Sequence, residues 1–390
     1  MLKRDMIKRI AGLELNALLH SGILPKQLFE NGKVQSSGTP VYDTNGELLL
    51  YRVPVKKGRQ VFQADIAANP ELGHPLMAIQ LGPDWSFPKL LKEGKQIAER
   101  KHRVKFNQTR FVAYSYPKLA IQFLQRGREV LMLELFTWEK VPDEKPRTPG
   151  VPPGHFERWS LLREIPSAKR VKNKKSFKER IDFWDKKHPV GDRMFNPEYL
   201  RLADFTRILT PAELVVSLFI SRELHYSTNN DDHHPCYELR GQLTNVWCVA
   251  ASVQMILDFY RYNYTQDRLA QELGLGTRAN PNGLPYSRAN DVVTVLQDLT
   301  SQALTGNRNT NANWNEFVSE INANRPLISW IPGHSRTVAG YTRSRLGTWY
   351  TFRGLLVYDP WPPTGGSIAR WENFDLTTYW DTFTAALTLV

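Results

Sequence analysis

The segment from Gln242 to Cys248 reads QLTNVWC and stands directly before a helical pattern. Apolar residues follow it at the spacing of one helix face, namely Val249, Val253, Ile256, Leu257 and Tyr260. The pattern places Cys248 in the first turn, where unpaired backbone N–H groups and the helix dipole favour a thiolate. Because the thiolate is the nucleophilic form of cysteine, this position suits a catalytic nucleophile. A cysteine that is merely buried as a small apolar residue fits the same position.

Two residues of the same segment suit a reactive cysteine. Gln242 lies six residues before Cys248. A glutamine amide held near the cysteine backbone N–H is able to supply the second donor of an oxyanion hole. Trp247 precedes the cysteine directly and is able to shield it from water.

A base and an orienting group are available further along the chain. Residues 326–331 read as a buried strand, Pro332-Gly333 as a turn, and His334 follows at once. Another strand is predicted to end at Asp359. A single histidine is often structural, and Asp-Pro is often only a turn. Together, however, a cysteine at a helix start, a histidine at a strand edge and an aspartate on a following strand predict a catalytic triad.

These residues form motifs that resemble those of papain-like cysteine peptidases. The motifs are Gln-x5-Cys from Gln242, Gly-His-x3-Val-x-Gly-Tyr from Gly333, and Val-Tyr-Asp-Pro-Trp from Val357. The nearest groups are the bacterial peptidases that process bacteriocin leaders after a double glycine and the staphopain-type peptidases. The resemblance covers roughly residues 236–390.

The resemblance implies a role for each motif residue. Cys248 would be the nucleophile, His334 the general base and acid, and Asp359 the group that orients the imidazole. Gln242 would complete the oxyanion hole. The implied fold is a helical lobe, led by the Cys248 helix, that faces a small antiparallel barrel-like sheet. No cofactor or metal is expected.

The motifs also depart from the family pattern. Val249 stands where many relatives have a glycine after the cysteine, and Asp359 stands where papain has an asparagine. The gap between His334 and Asp359 also looks longer than usual, as though the hairpin at residues 343–349 were extended. The expected cleft residues are Trp247, Trp330 and Trp361.

The overall prediction is an α+β protein with three regions. Residues 1–140 carry strand and hairpin signals and are expected to form a small α+β domain with an antiparallel sheet. Residues 141–230 form a linker that is rich in proline and basic residues and includes helices, one of them predicted from Pro211 to Ile220. Residues 231–390 form the papain-like domain.

The charge of the chain is uneven. The whole sequence has 51 basic and 39 acidic residues, a net charge of +12. The last 160 residues hold 12 arginines, no lysine and 14 acidic residues, so the remaining 230 residues carry +14. This excess favours an acidic partner, either nucleic acid or the C-terminal domain itself. The sequence lacks zinc-finger spacing and an RNA-binding aromatic signature, so nucleic acid is not expected.

The N-terminal region is expected to regulate the peptidase. The hairpins of residues 41–85 resemble cystatin-like or PepSY-like prodomains of secreted bacterial proteases. The resemblance implies a zymogen in which residues 1–230 dock in cis and cover the cleft, with Lys169–Lys187 as a candidate processing region. A separate targeting or partner-binding domain is the alternative. The sequence has no apolar stretch that would span a membrane and no clear signal peptide, so localisation stays open.

Three functions therefore remain open at this point. The first is hydrolysis of a peptide or protein substrate, and the second is acyl transfer or amide hydrolysis by the same triad, as in transglutaminase-like enzymes. The third is a non-catalytic protein whose basic N-terminal region binds an acidic partner.

His233, His234 and Cys236 suggest a metal site, but no second ligand pair with zinc-finger spacing accompanies them. They are expected to be loop residues, and a Cys236–Cys248 disulfide would consume the nucleophile.

Overall fold

The structure, a computed structural model, describes the chain except residues 1, 3, 36–37, 83–84, 144–149, 193–194, 215, 225–236, 347–349 and 389–390. The helices are α1 (Arg4–His20), α2 (Lys26–Phe29), α3 (Phe87–Arg100), α4 (Ser167–Lys187), α5 (Leu202–Phe205), α6 (Pro211–Leu214), α7 (Cys248–Phe259), α8 (Gln266–Glu272), α9 (Asp291–Asp298) and α10 (Trp314–Asn322). The strands are β1 (Lys33–Val34), β2 (Thr39–Asp43), β3 (Leu48–Lys57), β4 (Gln60–Ala67), β5 (Leu76–Leu81), β6 (Gln108–Ser115), β7 (Lys118–Gln125), β8 (Arg128–Glu134), β9 (Val216–Glu223), β10 (Gly276–Thr277), β11 (Asn280–Pro281), β12 (Leu304–Asn309), β13 (Leu327–Ile331), β14 (His334–Leu346), β15 (Tyr350–Asp359), β16 (Ser367–Asn373) and β17 (Thr382–Leu387). The α+β prediction is confirmed.

One large sheet runs through both halves of the described chain. From one edge its strand order is β12, β17, β13, β14, β15 and β16, and it continues through β5, β4, β3, β2, β6 and β7 to β8. Strand β1 pairs with β3, and β9 pairs with β14. The pairings are antiparallel apart from that of β2 with β6. Helices α7 to α10 lie in the C-terminal half beside this sheet and complete its core.

The two halves of the sheet join where β16 pairs with β5. Ile368 lies opposite Leu81 at one end of this ladder. Trp371 is fully buried at the junction, and its indole Nε1 donates to the carbonyl of Ile23 at 3.0 Å. Backbone hydrogen bonds and a shared core therefore hold residues on both sides together. The domain boundaries at residues 140 and 230 stay a prediction.

The basic stretch from Lys169 to Lys187 lies in α4. Its lysines are largely exposed, whereas Phe177 and Trp184 are buried. Arg180 forms a buried ion pair with Glu14 of α1 at 2.8 Å, and the Trp184 indole donates to the same carboxylate at 2.7 Å. The stretch is thus an amphipathic surface helix fastened to α1. None of the helices in the described residues combines the length and the apolar character that a bilayer span requires.

The predicted helix from Pro211 to Ile220 is wrong beyond its first turn. Helix α6 ends at Leu214, and β9 begins at Val216. The sequence VSLFISRE of β9 contains β-branched and aromatic residues that suit a strand. Its partner is the far half of β14, where Gly340 lies opposite Glu223. Tertiary pairing with this long strand overrides the local helix signal.

Replacement of Trp371 by alanine tests the junction. Trp371→Ala leaves a cavity and an unpaired Ile23 carbonyl, so we expect the free energy of unfolding to fall by about 3–5 kcal/mol in urea denaturation. The matched control is Val171→Ala at an exposed position of α4, which should change it by no more than about 0.5 kcal/mol. A Trp371→Ala variant as stable as the control would show that the junction contributes little.

Candidate active site

Helix α7 begins at Cys248, as the sequence predicts. The thiol lies in the first turn and is 6% exposed. The helix packs across the start of β14, where the hydroxyl of Ser335 donates to that of Ser252 at 2.9 Å. One turn further on, the Thr337 hydroxyl contacts the Met255 sulfur at 3.6 Å. These contacts fix the thiol next to the first residue of β14.

That first residue is His334. Strand β13 turns into β14 through Pro332 and Gly333, so Ile331 lies opposite His334. Strand β15 runs back along β14 and ends at Asp359. The Nε2 atom of His334 lies 2.6 Å from Oδ1 of Asp359. The two residues are 25 positions apart in sequence, and the β14–β15 pairing brings them together.

Cys248, His334 and Asp359 therefore form a continuous chain of contacts. Sγ of Cys248 lies within 4.8 Å of a ring nitrogen of His334. Since Nε2 is engaged by Asp359, Nδ1 is the nitrogen that is free to serve the thiol. The backbone N–H of Trp361 also donates to Oδ1 of Asp359, at 2.9 Å, and fixes that carboxylate.

The environment of the pair favours a thiolate and an imidazolium. Burial raises the pKa of the Cys248 thiol, but the adjacent His334 outweighs it, so the net pKa is lowered. Burial lowers the pKa of His334, but the Asp359 carboxylate and the thiol outweigh it, so the net pKa is raised. Both directions move the proton from sulfur to nitrogen, which is the charge state of an activated cysteine nucleophile.

Gln242 is buried and held in place beside this site. Its backbone N–H donates to the carbonyl of Pro360 at 3.0 Å, directly after Asp359. Its Nε2 donates to the carbonyl of Thr244 at 2.7 Å. An amide nitrogen carries two hydrogens, so this bond uses only one N–H of the Gln242 side chain.

The three expected tryptophans take different places. Trp330 lines the cavity beside Cys248. Trp247 is fully buried in the core, and its indole donates to the Leu275 carbonyl at 3.1 Å. Trp361 packs next to Asp359, and it does not belong to the described residues that line this cavity. His233, His234 and Cys236 lie in residues 225–236, outside the described part of the chain.

Sequence reasoning missed two residues at the site, His155 and Lys118. A ring nitrogen of His155 lies within 4.8 Å of both the Cys248 sulfur and a nitrogen of His334. Nζ of Lys118 donates to the carbonyls of His155 and Gly333, the latter at 2.8 Å. Burial lowers the pKa of Lys118 to about 8, against the raising effect of the Cys248, Glu134 and Asp359 charges. Neither residue belongs to a motif, so no local signal could have found them.

A cavity of about 280 Å³ opens at the thiol. One side is formed by the C-terminal half, with the apolar residues Val246, Val249, Leu284, Tyr286, Trp330 and Ile331. The other side is formed by residues 151–155 and 157 of the proline-rich linker. This short stretch of the linker therefore lies over the cavity that contains the reactive sulfur.

Several contacts hold the linker in this position. Arg158 pairs with Glu129 of β8, and its Nε donates to the Pro142 carbonyl at 2.8 Å. The Trp159 N–H donates to the Tyr114 carbonyl at 2.6 Å. The His155 ring packs on that of Trp361, with 5.0 Å between centroids. These contacts fasten the linker to the N-terminal sheet on one side and to the site on the other.

The comparison with protein-family models agrees with the motifs. Residues 235–386 match the model of the Peptidase_C39 like family. One similar solved structure is a double glycine motif protease from an AMS/PCAT transporter in complex with the leader peptide. Its sequence is 15% identical to the matched part of this chain, and the TM-score is 0.26. The match covers 39% of this chain and 94% of that chain. A search of curated proteins finds no match.

The class of protein follows from the family match. Residues 235–386 are similar to the Peptidase_C39 like family, which indicates the class of cysteine peptidases. The matched residues are about two fifths of the chain, and the match indicates a cysteine-type peptidase.

Substitution of Asp359 tests the charge state of His334. Because Asp359 raises the pKa of His334, we expect Asp359→Ala to lower it, as followed by NMR titration of the histidine ring carbons. Because the pKa of His334 is raised in the folded state, its protonation stabilises the fold at pH values below the ordinary histidine pKa. This stabilisation is lost as the pH rises through the raised pKa of His334. The variant should lack this pH-dependent stability. Asp298→Ala, at an exposed position, is the control, and an unchanged His334 titration in Asp359→Ala would contradict the assignment.

Proposed function

We propose that the chain hydrolyses peptide bonds with Cys248 as nucleophile, His334 as general base and acid, and Asp359 as the orienting group. The convergence of these three side chains carries the proposal, above all the 2.6 Å contact between His334 and Asp359 beside the thiol. The lowered pKa of Cys248 and the raised pKa of His334 both favour the thiolate and imidazolium that the reaction needs.

The reaction proceeds in two halves. The Cys248 thiolate attacks the carbonyl carbon of the scissile bond, and the oxygen takes up the negative charge. The backbone N–H of Cys248 and the free N–H of Gln242 stabilise this oxyanion. His334 gives its proton to the leaving amine, which leaves an acyl-thioester on Cys248. His334 then removes a proton from water, and the hydroxide releases the acid and restores the thiol.

The substrate is a peptide or protein that reaches the cavity in an extended form. The walls beside Cys248 are apolar on the side of the C-terminal half, with Trp330, Leu284 and Val249 among them. Such walls bind apolar side chains next to the scissile bond, because burial of apolar surface is favourable. The backbone of the substrate would replace that of the linker in the cavity.

The linker keeps the enzyme in a latent form. Cys248 is 6% exposed and the His334 side chain is fully buried, while residues 151–157 lie over both. Residues 151–155 and 157 form one wall of the cavity at the sulfur, so an extended peptide needs this segment to move aside. The continuous sheet argues against release of the whole N-terminal region, because the β16–β5 pairing would have to break as well. We therefore assign activation to local displacement or cleavage of the linker, in a zymogen that is regulated in cis.

Replacement of Cys248 tests the nucleophile. Cys248→Ala should lower kcat/KM for peptide hydrolysis by about 10⁴-fold or more, because the acyl-thioester cannot form. The measurement uses the full chain and a quenched fluorescent peptide library. Cys236→Ala is the matched control, since it removes the other cysteine of the sequence and should retain the wild-type rate. Equal loss in both variants, or none in Cys248→Ala, would contradict the proposal.

Replacement of Arg158 tests latency without touching the triad. Arg158→Ala removes the charge-assisted contacts with Glu129 and Pro142, so the linker should open more often. We expect peptide hydrolysis and alkylation of Cys248 by iodoacetamide to rise together by about ten- to a hundredfold, because such a contact contributes roughly 1.5–3 kcal/mol. Arg128→Ala, at an exposed position beside Glu129, is the control. If Arg158→Ala reacts as slowly as wild type, the linker does not limit access.

A further inference from the structure

Three metal-binding side chains converge at the mouth of α7. They are the imidazole of His155 from the linker, the thiol of Cys248 and the imidazole of His334. One nitrogen from each ring and the sulfur all lie within 4.8 Å of one another. A tetrahedral zinc ion holds its nitrogen and sulfur ligands about 3.3–3.6 Å apart. Side-chain rotations that move the three ligand atoms by about 1 Å would therefore bring them to bonding distance of one ion.

The nitrogens of this cluster have few partners. Both ring nitrogens of His155 and Nδ1 of His334 are buried without a hydrogen bond of ordinary geometry in the described part of the chain, and their contacts are those of His155 with the Gly333 backbone and of His334 with the Cys248 thiol. A buried polar atom without a partner costs about 1–3 kcal/mol, so such atoms in native proteins usually bind water or an ion. One such nitrogen from each ring lies beside the thiol, and the two point to a common ligand.

The surroundings of His334 suit a metal ligand. Its Nε2 is engaged by Asp359 at 2.6 Å, which leaves the Nδ1 lone pair directed elsewhere. A carboxylate that holds the far nitrogen of an imidazole is the usual second partner of a metal-bound histidine. The backbone of His155 is also fixed, because Lys118 binds its carbonyl. The Lys118 charge opposes a cation, but the carboxylates of Glu134 and Asp359 offset it.

We propose that His155, Cys248 and His334 bind a zinc ion that locks the linker over the nucleophile. One thiolate and two imidazoles are a ligand set that zinc prefers, and the cavity leaves its fourth position for water. On binding, the proton that Cys248 and His334 share leaves to solvent, so that the sulfur and the Nδ1 lone pair of His334 both bond to the metal. The ion then ties the linker to the two residues that the peptidase reaction needs. The lock rests on the proposed latency, but zinc binding itself requires no peptidase activity.

Metal binding by the full chain is the direct test. Reduced, metal-free protein is titrated with zinc chloride in a calorimeter, and with cobalt chloride in a spectrometer. We expect one ion per chain and a thiolate-to-cobalt charge-transfer absorption. His155→Ala and Cys248→Ala should each weaken zinc binding by at least about tenfold, and Cys248→Ala should abolish the absorption. His102→Ala is the control, since His102 also has a buried nitrogen without a partner among the described residues but lies outside the trio.

Two results would overturn the site. The first is no zinc uptake by the wild-type chain, and the second is wild-type affinity in His155→Ala. His155→Gln, a polar replacement checked by circular dichroism, repeats the test so that a folding defect cannot imitate the loss of a ligand.

Peptide hydrolysis measured with and without a chelator separates this proposal from the peptidase proposal. Faster hydrolysis after chelation of the zinc-loaded chain supports the lock. Zinc binding through His155 without hydrolysis of any peptide would leave the site standing and contradict the peptidase proposal. Hydrolysis without zinc binding would do the reverse.

Discussion

The hydrogen bond between His334 Nε2 and Asp359 Oδ1 is the contact on which the site depends. It joins the start of β14 to the end of β15, so it exists only while these two strands keep their register. The same bond leaves Nδ1 of His334 directed away from Asp359 and available to the thiol. A slip of one residue would turn His334 to the other face of the sheet and separate it from Cys248. The chemistry of the protein is therefore a consequence of strand pairing.

Burial of charge is the main cost of this arrangement. Cys248, His334, Asp359 and Lys118 are all largely buried, and desolvation disfavours the charged form of each. The charges offset one another, because each cationic group lies near an anionic one. The site thus shifts the buried Cys248–His334 pair towards its ionised form, and it does so as a network whose members depend on one another. Removal of one partner leaves the others as uncompensated buried charges, which is far more costly than an exposed charge.

The continuous sheet also constrains the regulation that we propose. The N-terminal region shares backbone hydrogen bonds with the peptidase half through β5 and β16, and it also supplies Lys118 and the support of the linker. A prodomain held by surface charges alone would leave when salt screens them. Here the ladder and the buried Trp371 keep the region attached. In the latency that we propose, the element that moves is the short segment of residues 151–157 beside the thiol.

The sequence by itself determined the local parts of the site. Helical periodicity after Cys248 and the strand–turn–His334 pattern depend on neighbours in the chain, so they were predictable, as was the α+β class. The helix predicted to Ile220 was wrong because β14 offers β9 a partner from more than a hundred residues away. His155 and Lys118 stand in segments with no catalytic pattern, and only the joined sheet brings them to the thiol. Tertiary structure decided their role, because proximity between distant segments depends on packing and not on the residues next to them.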